Sequence, residues 1–229
     1  MPKPIIGILG GMGPAASALF YTKLVKFCQD ELGSVQDTDF PECIIYSKAL
    51  AGFDETGIKD PQRVLTQLYN ALSILVGAGC SFIVIPCNTV HLFINEMRGS
   101  CPIPILSIIE ETGKRIAMQS VESVVLLASE TTLSTALYQS NLHEQGIIFH
   151  QLADNSKITL LIEQAMQGKI SLMIKESVLK ESEAFDSQAI VLGCTELPLA
   201  ISQSDTSKKV FDSLQILVEQ TVKYYLNLL

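Results

Sequence analysis

The sequence predicts an α/β fold built from parallel sheets, and three features lead to that prediction. Short apolar runs bounded by turn residues alternate with longer stretches of helical periodicity. Several runs end directly in a turn of small or polar residues, and a turn that contains a cysteine occurs in each half of the chain. Alternation of strand and helix gives parallel sheets that are covered by helices on both faces. The predicted strands are residues 5–9, 42–47, 81–85, 103–107, 123–127, 147–150 and 188–192.

The helices between these strands are predicted from their first and last residues and from their apolar stripes. The first helix begins at Pro14, because proline suits the first position of a helix. The second runs from Pro61 to about Ala78, where Gly79 ends it. A last helix near residues 212–228 follows the short run KKVF, and we expect it to return to the first half of the molecule.

The length of the chain and the repeated cysteine turn together favour two lobes. A chain of 229 residues is long enough to form two cores. The segment RGSCPIP contains a glycine and two prolines, so it is the expected crossover between the lobes. We therefore predict a first lobe of residues 1–100 and 209–229, which carries Cys87, and a second lobe of residues 101–208, which carries Cys194.

Composition and charge exclude several classes of partner. The net charge is −8 and no run of lysine or arginine forms a basic stripe, which argues against nucleic acid. No stretch reaches the roughly 20 apolar residues that span a bilayer, and the N-terminal run is too short for a secretory signal, so we expect a cytoplasmic protein with no membrane partner. The six cysteines form no CxxC pair and are expected to be reduced thiols.

Two turns of similar sequence mark the candidate catalytic residues, Cys87 and Cys194. The first lies in FIVIPCNTVH at residues 82–91 and the second in AIVLGCTELP at residues 189–198. A strand that leads through a turn into a helix places the cysteine at a helix N-terminus, where free N–H groups and the helix dipole stabilise a thiolate. A buried structural cysteine is the alternative for either turn alone, but the repetition favours a functional pair. Residues that can cap a helix or bind substrate follow both cysteines: Asn88, Thr89, Thr195 and Glu196.

The glycine turn GGMGP follows the first predicted strand and suggests a second part of the site. A dinucleotide fingerprint would need a third glycine where the chain has Ala16, and an acidic residue at the end of the second strand, so nucleotide binding is disfavoured. Glycines at a strand end still let backbone N–H groups approach a carboxylate, and we assign Gly11 and Met12 to substrate binding. A tight turn without a ligand is the alternative.

A polar turn after the fifth predicted strand adds Thr131 and Thr132, whose hydroxyls can bind a carboxylate or cap the next helix. Lys157 can bind a second carboxylate or simply be solvated. Ligands of open α/β sheets bind at the carboxyl ends of the strands, which is where all these turns lie.

His91, one helical turn after Cys87, packs, caps or tunes the thiol. The histidines have no partner at metal-ligand spacing, so we expect no metal.

These motifs resemble the aspartate/glutamate racemase family. The matching segments are IGILGGMGPAAS, PCNTVH, the stretch from LLASETT to Tyr138, LGCTELPL and FDS. The resemblance implies two Rossmann-like lobes with an active-site cleft between them, and a homodimer. It also implies a cofactor-independent amino-acid racemase, without pyridoxal phosphate, in which Cys87 and Cys194 are the two bases that move a proton at Cα.

The sequence departs from the family pattern at two points. Many members carry a Pro-Asp-Arg element after the second strand, whose arginine binds a substrate carboxylate, whereas this chain reads YSKALAGFDETG at residues 46–57. The usual glycine of the polar turn is Thr131 here, which reshapes the expected pocket. The alternatives are a related cysteine-dependent isomerase or decarboxylase of a small carboxylate, such as a maleate isomerase or an arylmalonate decarboxylase, and a non-catalytic amino-acid-binding module.

Overall fold

The computed structural model describes residues 3–54 and 57–229. Residues 55 and 56, inside the segment that replaces the Pro-Asp-Arg element, and residues 1 and 2 of the predicted first lobe lie outside the described residues. The chain divides into two compact units. The first unit comprises Met1–Phe53, Ile58–Ile108 and Leu214–Leu229, and the second comprises Asp54–Gly57 and Ile109–Ser213.

Helices and strands alternate along the described chain, as predicted. The strands are β1 (Ile5–Gly10), β2 (Glu42–Ser47), β3 (Phe53–Asp54), β4 (Gly57–Ile58), β5 (Phe82–Val84), β6 (Ile105–Leu106), β7 (Ser123–Leu127), β8 (Ile148–His150), β9 (Ala189–Leu192) and β10 (Lys209–Asp212). The helices are α1 (Pro14–Leu32), α2 (Pro61–Gly77), α3 (Ile94–Ser100), α4 (Ile108–Met118), α5 (Glu130–Ser134), α6 (Leu137–Glu144), α7 (Ser156–Met166), α8 (Leu172–Glu183) and α9 (Ser213–Leu228). Short 3-10 helices lie at Asp37–Asp39, Thr89–Phe93, Leu197–Leu199 and Gln203–Asp205.

The first unit contains a parallel sheet in the order β2-β1-β5-β6. The helix α1 begins at Pro14, as predicted, and ends at Gly33, whose φ of +68° is the left-handed conformation that glycine adopts without a Cβ clash. The helix α2 begins after Asp60, whose carboxylate accepts a hydrogen bond from the N–H of Arg63 at 3.1 Å. The core of this unit forms where the buried faces of both helices meet the central strands.

The second unit repeats this arrangement with a parallel sheet in the order β10-β9-β7-β8. In each four-stranded sheet the first strand along the chain is central and pairs with the second and third strands of that sheet, and the fourth strand lies at the edge beside the third. The strands β7 and β9 are almost entirely buried, as expected of strands covered on both faces. The predicted fold class, α/β with two units of parallel sheet, is confirmed.

The boundaries of the units differ from the predicted lobes at Asp54–Gly57, which groups with the second unit, and at two edge strands. Ile105 of β6 pairs with Ile83 of β5, so the first unit extends to Ile108 instead of ending at residue 100. Lys209 of β10 pairs with Ala189 of β9, so residues 209–213 belong to the second unit instead of the first. Both strands are short and lie at an edge, where pairing depends on the neighbouring backbone more than on an apolar sequence pattern.

Two further findings concern the chain as a whole. All six cysteines lie in the described ranges, and none of them is in a disulfide. Among the helices of the described residues, none has the length and apolar character that crossing a bilayer requires.

Candidate active site

Except for Lys157, which lies in α7, the predicted site residues lie on or directly after turns at the carboxyl edges of the two sheets. In the first unit the glycine turn follows β1 and the Cys87 turn, residues 86–91, follows β5. In the second unit the polar turn follows β7 and the Cys194 turn, residues 193–198, follows β9. Because β1 and β5 are neighbours and β7 and β9 are neighbours, each sheet brings one cysteine turn beside one glycine or polar turn.

The backbone of Cys87 is held at both of its polar groups. Its N–H donates to the carbonyl of Ile85 at 2.8 Å, and its carbonyl lies 2.8 Å from Nδ1 of His91. The N–H of His91 in turn donates to the carbonyl of Asn88 at 3.0 Å. Asn88 and Thr89 are both buried, as is Cys87, which is 4% exposed. The turn leads into the 3-10 helix that starts at Thr89 and only then into α3.

The imidazole of His91 is 1% exposed and makes a second hydrogen bond at its other nitrogen. The N–H of Ile108 donates to Nε2 at a distance of 3.4 Å. A nitrogen that accepts carries no proton, so the ring is the neutral tautomer protonated at Nδ1, assigned from these partners. His91 therefore donates to the carbonyl of Cys87, which is the capping role among those predicted for it.

The glycine turn is stabilised by hydrogen bonds to Ser17, a residue that the sequence analysis did not assign to the site. The N–H of Gly11 donates to Oγ of Ser17 at 2.9 Å, and that hydroxyl donates to the carbonyl of Gly13 at 3.0 Å. Gly11 has φ of +96°, and a Cβ there would come within 2.5 Å of the backbone of Lys48, so only glycine fits. The amide of Gly11, predicted to bind substrate, thus has an internal acceptor. Met12 is buried in the same core cluster as Cys87.

The Cys194 turn brings a carboxylate onto the thiol. The Sγ of Cys194 donates to Oε2 of Glu196 at 3.1 Å, and Oγ1 of Thr195 donates to the same oxygen at 3.0 Å. All three residues are buried, Glu196 being only 5% exposed. The sequence assigned Thr195 and Glu196 to substrate binding, and the structure adds that the carboxylate of Glu196 accepts hydrogen bonds from both Cys194 and Thr195. The spacing of two residues within a tight turn is the signal that could have indicated this contact.

The helix expected after Cys194 does not form. Only the 3-10 helix Leu197–Leu199 follows the turn, and its N–H at Leu197 already donates to the carbonyl of Cys194 at 3.2 Å. A helix dipole needs several aligned peptide units, so one 3-10 turn does not supply the stabilisation of a thiolate that the sequence suggested. The neighbour that bears on the Cys194 thiol is instead the carboxylate of Glu196.

The polar turn is organised as a helix cap. Oγ of Ser129 accepts from the N–H of Thr132 at 3.4 Å and lies 3.0 Å from Oγ1 of the same residue, so Ser129 caps α5. Oγ1 of Thr131 abuts Gly57, where a Cβ would collide with it. Thr131, which replaces the family's glycine, therefore fills space against a residue that has no side chain.

A buried network supports the Cys194 turn, and the sequence reading did not identify it as part of the site. Tyr138 is fully buried, and its hydroxyl hydrogen-bonds to Thr112 and Ser213. The hydroxyl of Ser213, from the FDS motif, donates to the carbonyl of Leu192 at 2.7 Å. Burial raises the pKa of Tyr138 well above its usual value, so the hydroxyl stays protonated. A Cβ at Gly193 would lie 3.2 Å from the Tyr138 ring, so the turn packs closely on it.

Lys157 and three of the other cysteines have surroundings that differ from those of Cys87 and Cys194. Lys157 forms an ion pair with Glu181 of α8, and both side chains are more than a third exposed. Burial raises the pKa of Cys28 and of Cys80, and it raises the pKa of Cys43 to about 12, so these three are thiols at neutral pH and poor bases. Within residues 3–54 and 57–229, no cluster of histidine, cysteine or acidic residues could hold a metal ion.

Known proteins resemble this chain over nearly its whole length. A family model described as Asp/Glu/Hydantoin racemase matches residues 9–221. The chain is 31% identical over 228 residues to the broad specificity amino-acid racemase RacX of Bacillus subtilis (strain 168), an alignment that covers 97% of this chain and 98% of that protein. An aspartate racemase homologue from Pyrococcus horikoshii OT3 is similar in structure, with 30% identity, a TM-score of 0.81 and coverage of 98% of this chain and 99% of that chain. The aspartate racemase of Picrophilus torridus shares the fold at 24% identity, with a TM-score of 0.85 and coverage of 97% and 94%.

Proposed function

The chain belongs to the Asp/Glu/Hydantoin racemase family, and from that premise we propose that it inverts Cα of a free amino acid without a cofactor, by proton transfer between Cys87 and Cys194. The observation that carries the proposal is the equivalent placement of the two thiols. Each follows the third strand along the chain of its four-stranded parallel sheet, at the carboxyl edge, and each is buried. Two thiols in equivalent positions suit a reaction that has the same chemistry in both directions.

The proposed step balances without an oxidant or a metal. The thiolate of one cysteine removes the α-proton, which leaves a carbanion at Cα, and the thiol of the other cysteine delivers its proton to the opposite face. The first sulfur is then a thiol and the second a thiolate, so the enzyme is ready for the reverse reaction. The scheme requires both sulfurs to reach one Cα, and it uses thiols because their protonation changes near neutral pH when the surroundings are tuned.

We propose that the carboxylate of Glu196 accepts the proton of the Cys194 thiol and returns it. Its Oε2 accepts from the thiol at 3.1 Å, so the carboxylate can take that proton when Cys194 must act as the base and return it when Cys194 must act as the acid. Thr195 donates to the same oxygen at 3.0 Å and holds the carboxylate in place. This role is proposed in addition to the substrate contact expected of both residues.

The carbanion has no cofactor to delocalise its charge, so the site needs donors aimed at the substrate carboxylate. We propose that buried polar side chains beside the two cysteines supply them. They are Asn88, Thr89 and Thr132, to which we add the half-buried Thr131. Substrate contacts of Gly11, Met12 and Lys157 remain predictions. The homodimer and the cytoplasmic location also remain predictions.

The test is a panel of L- and D-amino acids incubated in deuterated water without added cofactor and scored for deuterium at Cα and for inversion. We expect both for at least one amino acid, and we expect Cys87→Ala and Cys194→Ala each to abolish inversion. A single-cysteine variant should still exchange the α-proton of one enantiomer, and the two variants should select opposite enantiomers.

Three results would contradict the proposal and identify a different function. Full inversion by either single variant would exclude the two-base scheme. A covalent adduct of one cysteine with a small carboxylate would favour an isomerase that uses a nucleophilic thiol. Binding of an amino acid without any exchange at Cα would favour a non-catalytic module.

A further inference from the structure

We infer that His91 is a positioning residue for the Cys87 base, acting through the backbone of Cys87, with no contact to the substrate. The inference rests on the proposed function, because it assigns to His91 an effect on the proton transfer that Cys87 performs. It starts from the two hydrogen bonds of the imidazole, one to the carbonyl of Cys87 and one from the N–H of Ile108.

The two bonds fix which nitrogen carries the proton. A backbone N–H can only donate, so Nε2 must accept from Ile108 and be unprotonated. Nδ1 then holds the single proton of the neutral ring and donates it to the Cys87 carbonyl at 2.8 Å. An imidazolium would place a second N–H against the N–H of Ile108 and break that contact. The two hydrogen bonds therefore hold the His91 ring in its neutral form, which makes it unsuited to exchanging protons with the thiol.

The hydrogen bond from His91 matters because it ties down the second of the two backbone polar groups of Cys87. The Cys87 N–H already donates to Ile85 at 2.8 Å, so the His91 bond leaves both backbone groups of this residue tied. The direction of the Cα–Cβ bond follows from the backbone, and the position of Sγ follows from that bond. A shift of about 1 Å in a reacting group can cost roughly 100-fold in rate, so a loosened carbonyl is enough to impair the base.

The effect should be confined to one cysteine. His91, Cys87 and Ile108 all belong to the first unit, while the Cys194 thiol has its own partner in Glu196. A residue that served only to pack the core would, when changed, alter folding and affect proton transfer by both cysteines. A positioning residue for Cys87 alters the exchange that Cys87 catalyses and leaves the exchange that Cys194 catalyses unchanged.

Two conservative variants separate the two bonds of the ring. The amide nitrogen of asparagine can occupy the position of Nδ1, so His91→Asn retains a donor for the Cys87 carbonyl. The amide oxygen of glutamine can reach the position of Nε2, so His91→Gln retains an acceptor for Ile108 but has no donor at the position of Nδ1. Both variants remove the same aromatic ring, which makes each the packing control for the other.

The experiment measures α-proton exchange in deuterated water for both variants in two backgrounds, Cys194→Ala, where only Cys87 acts, and Cys87→Ala, where only Cys194 acts. In the first background we expect His91→Gln to lower kcat at least tenfold with KM within about twofold, and His91→Asn to stay within about threefold of the parent. In the second background we expect both variants to stay within about twofold. Equal losses for the two variants, or equal losses in the two backgrounds, would overturn the inference.

A second measurement reads the tautomer directly and does not depend on catalysis. Long-range proton–nitrogen NMR of the imidazoles should show His91 protonated at Nδ1 alone, with its signal assigned by its loss in His91→Asn; the chain has only 3 histidines. A ring protonated at Nε2, or at both nitrogens, at neutral pH would overturn the inference. If instead each single-cysteine variant inverted Cα fully, the proposed function would fail and the role of His91 would fall with it.

Discussion

The two cysteine turns occupy equivalent strands, yet they hold their thiols by different means. At Cys87 the protein fixes the backbone, through Ile85 and the imidazole of His91. At Cys194 it contacts the sulfur itself, through the carboxylate of Glu196. The strand order sets where a thiol lies, whereas the residues two and four positions later set what surrounds it.

This difference gives the two sulfurs distinct chemical surroundings for the proposed proton transfer, which runs in both directions. A carboxylate beside Cys194 offers a place for its proton, and the imidazole beside Cys87 is committed to a carbonyl and an amide. The asymmetry therefore predicts that the two cysteines respond to different substitutions, which the following changes test in order of decreasing effect.

The largest effect is expected at the sulfurs. Cys87→Ser and Cys194→Ser should each lower racemisation by about 100- to 10,000-fold, because a hydroxyl is a far weaker acid than a thiol and does not ionise near neutral pH to give the required base, and proton-transfer groups contribute about that much. Inversion is followed by circular dichroism or chiral chromatography. Cys43→Ser is the matched control: burial raises the pKa of this thiol to about 12, so it should keep full activity. A comparable loss in the control would show that the decrease reflects folding.

Glu196→Gln tests the carboxylate on its own. Glutamine keeps an oxygen near Sγ but cannot take its proton, so exchange by Cys194 in the Cys87→Ala background should fall roughly 10- to 100-fold, less than the loss of a transferring group itself. Exchange by Cys87 in the Cys194→Ala background should be affected far less. Glu176→Gln, an exposed acid on α8, is the control and should change neither rate. Equal losses in the two backgrounds would contradict the assignment of Glu196 to Cys194.

Tyr138→Phe tests the network under the Cys194 turn. The change removes the hydroxyl that bonds to Thr112 and Ser213 inside the core, so we expect a loss of about 1–2 kcal/mol in unfolding free energy. Urea denaturation measures that loss, and exchange by Cys194 should decrease more than exchange by Cys87. Tyr21→Phe, at a side chain that is 42% exposed, should stay within about 0.5 kcal/mol. If the variant lost stability but exchange by Cys194 and exchange by Cys87 changed by the same factor, the network would have no specific role at the Cys194 turn.

The sequence was sufficient for the parts of the fold that depend on local pattern. Buried strands and capped helices have strong signals, and the start of α1 at Pro14 is an example. It was insufficient for β10, a strand of only four residues, KVFD, that begins with a lysine and lies at a sheet edge. Contacts of Glu196 and Lys157 also went unpredicted, because one depends on the backbone path of a tight turn and the other on how α7 packs against α8.

Ser17→Ala is expected to have the smallest effect and tests the glycine turn beside Cys87. The Ser17 hydroxyl accepts from Gly11 and donates to Gly13, so its removal leaves a part-buried N–H without this acceptor and should cost about 1 kcal/mol. Thr22→Ala is the matched control on the same helix: its hydroxyl also donates to a carbonyl four residues earlier, but it is exposed and makes no bond to the turn, so the cost should be below about 0.5 kcal/mol. Because the turns of Gly11 and Cys87 follow neighbouring strands, β1 and β5, Ser17→Ala should lower exchange by Cys87 slightly and leave exchange by Cys194 unchanged. An equal cost for the two alanine variants would show that the turn does not depend on this hydroxyl.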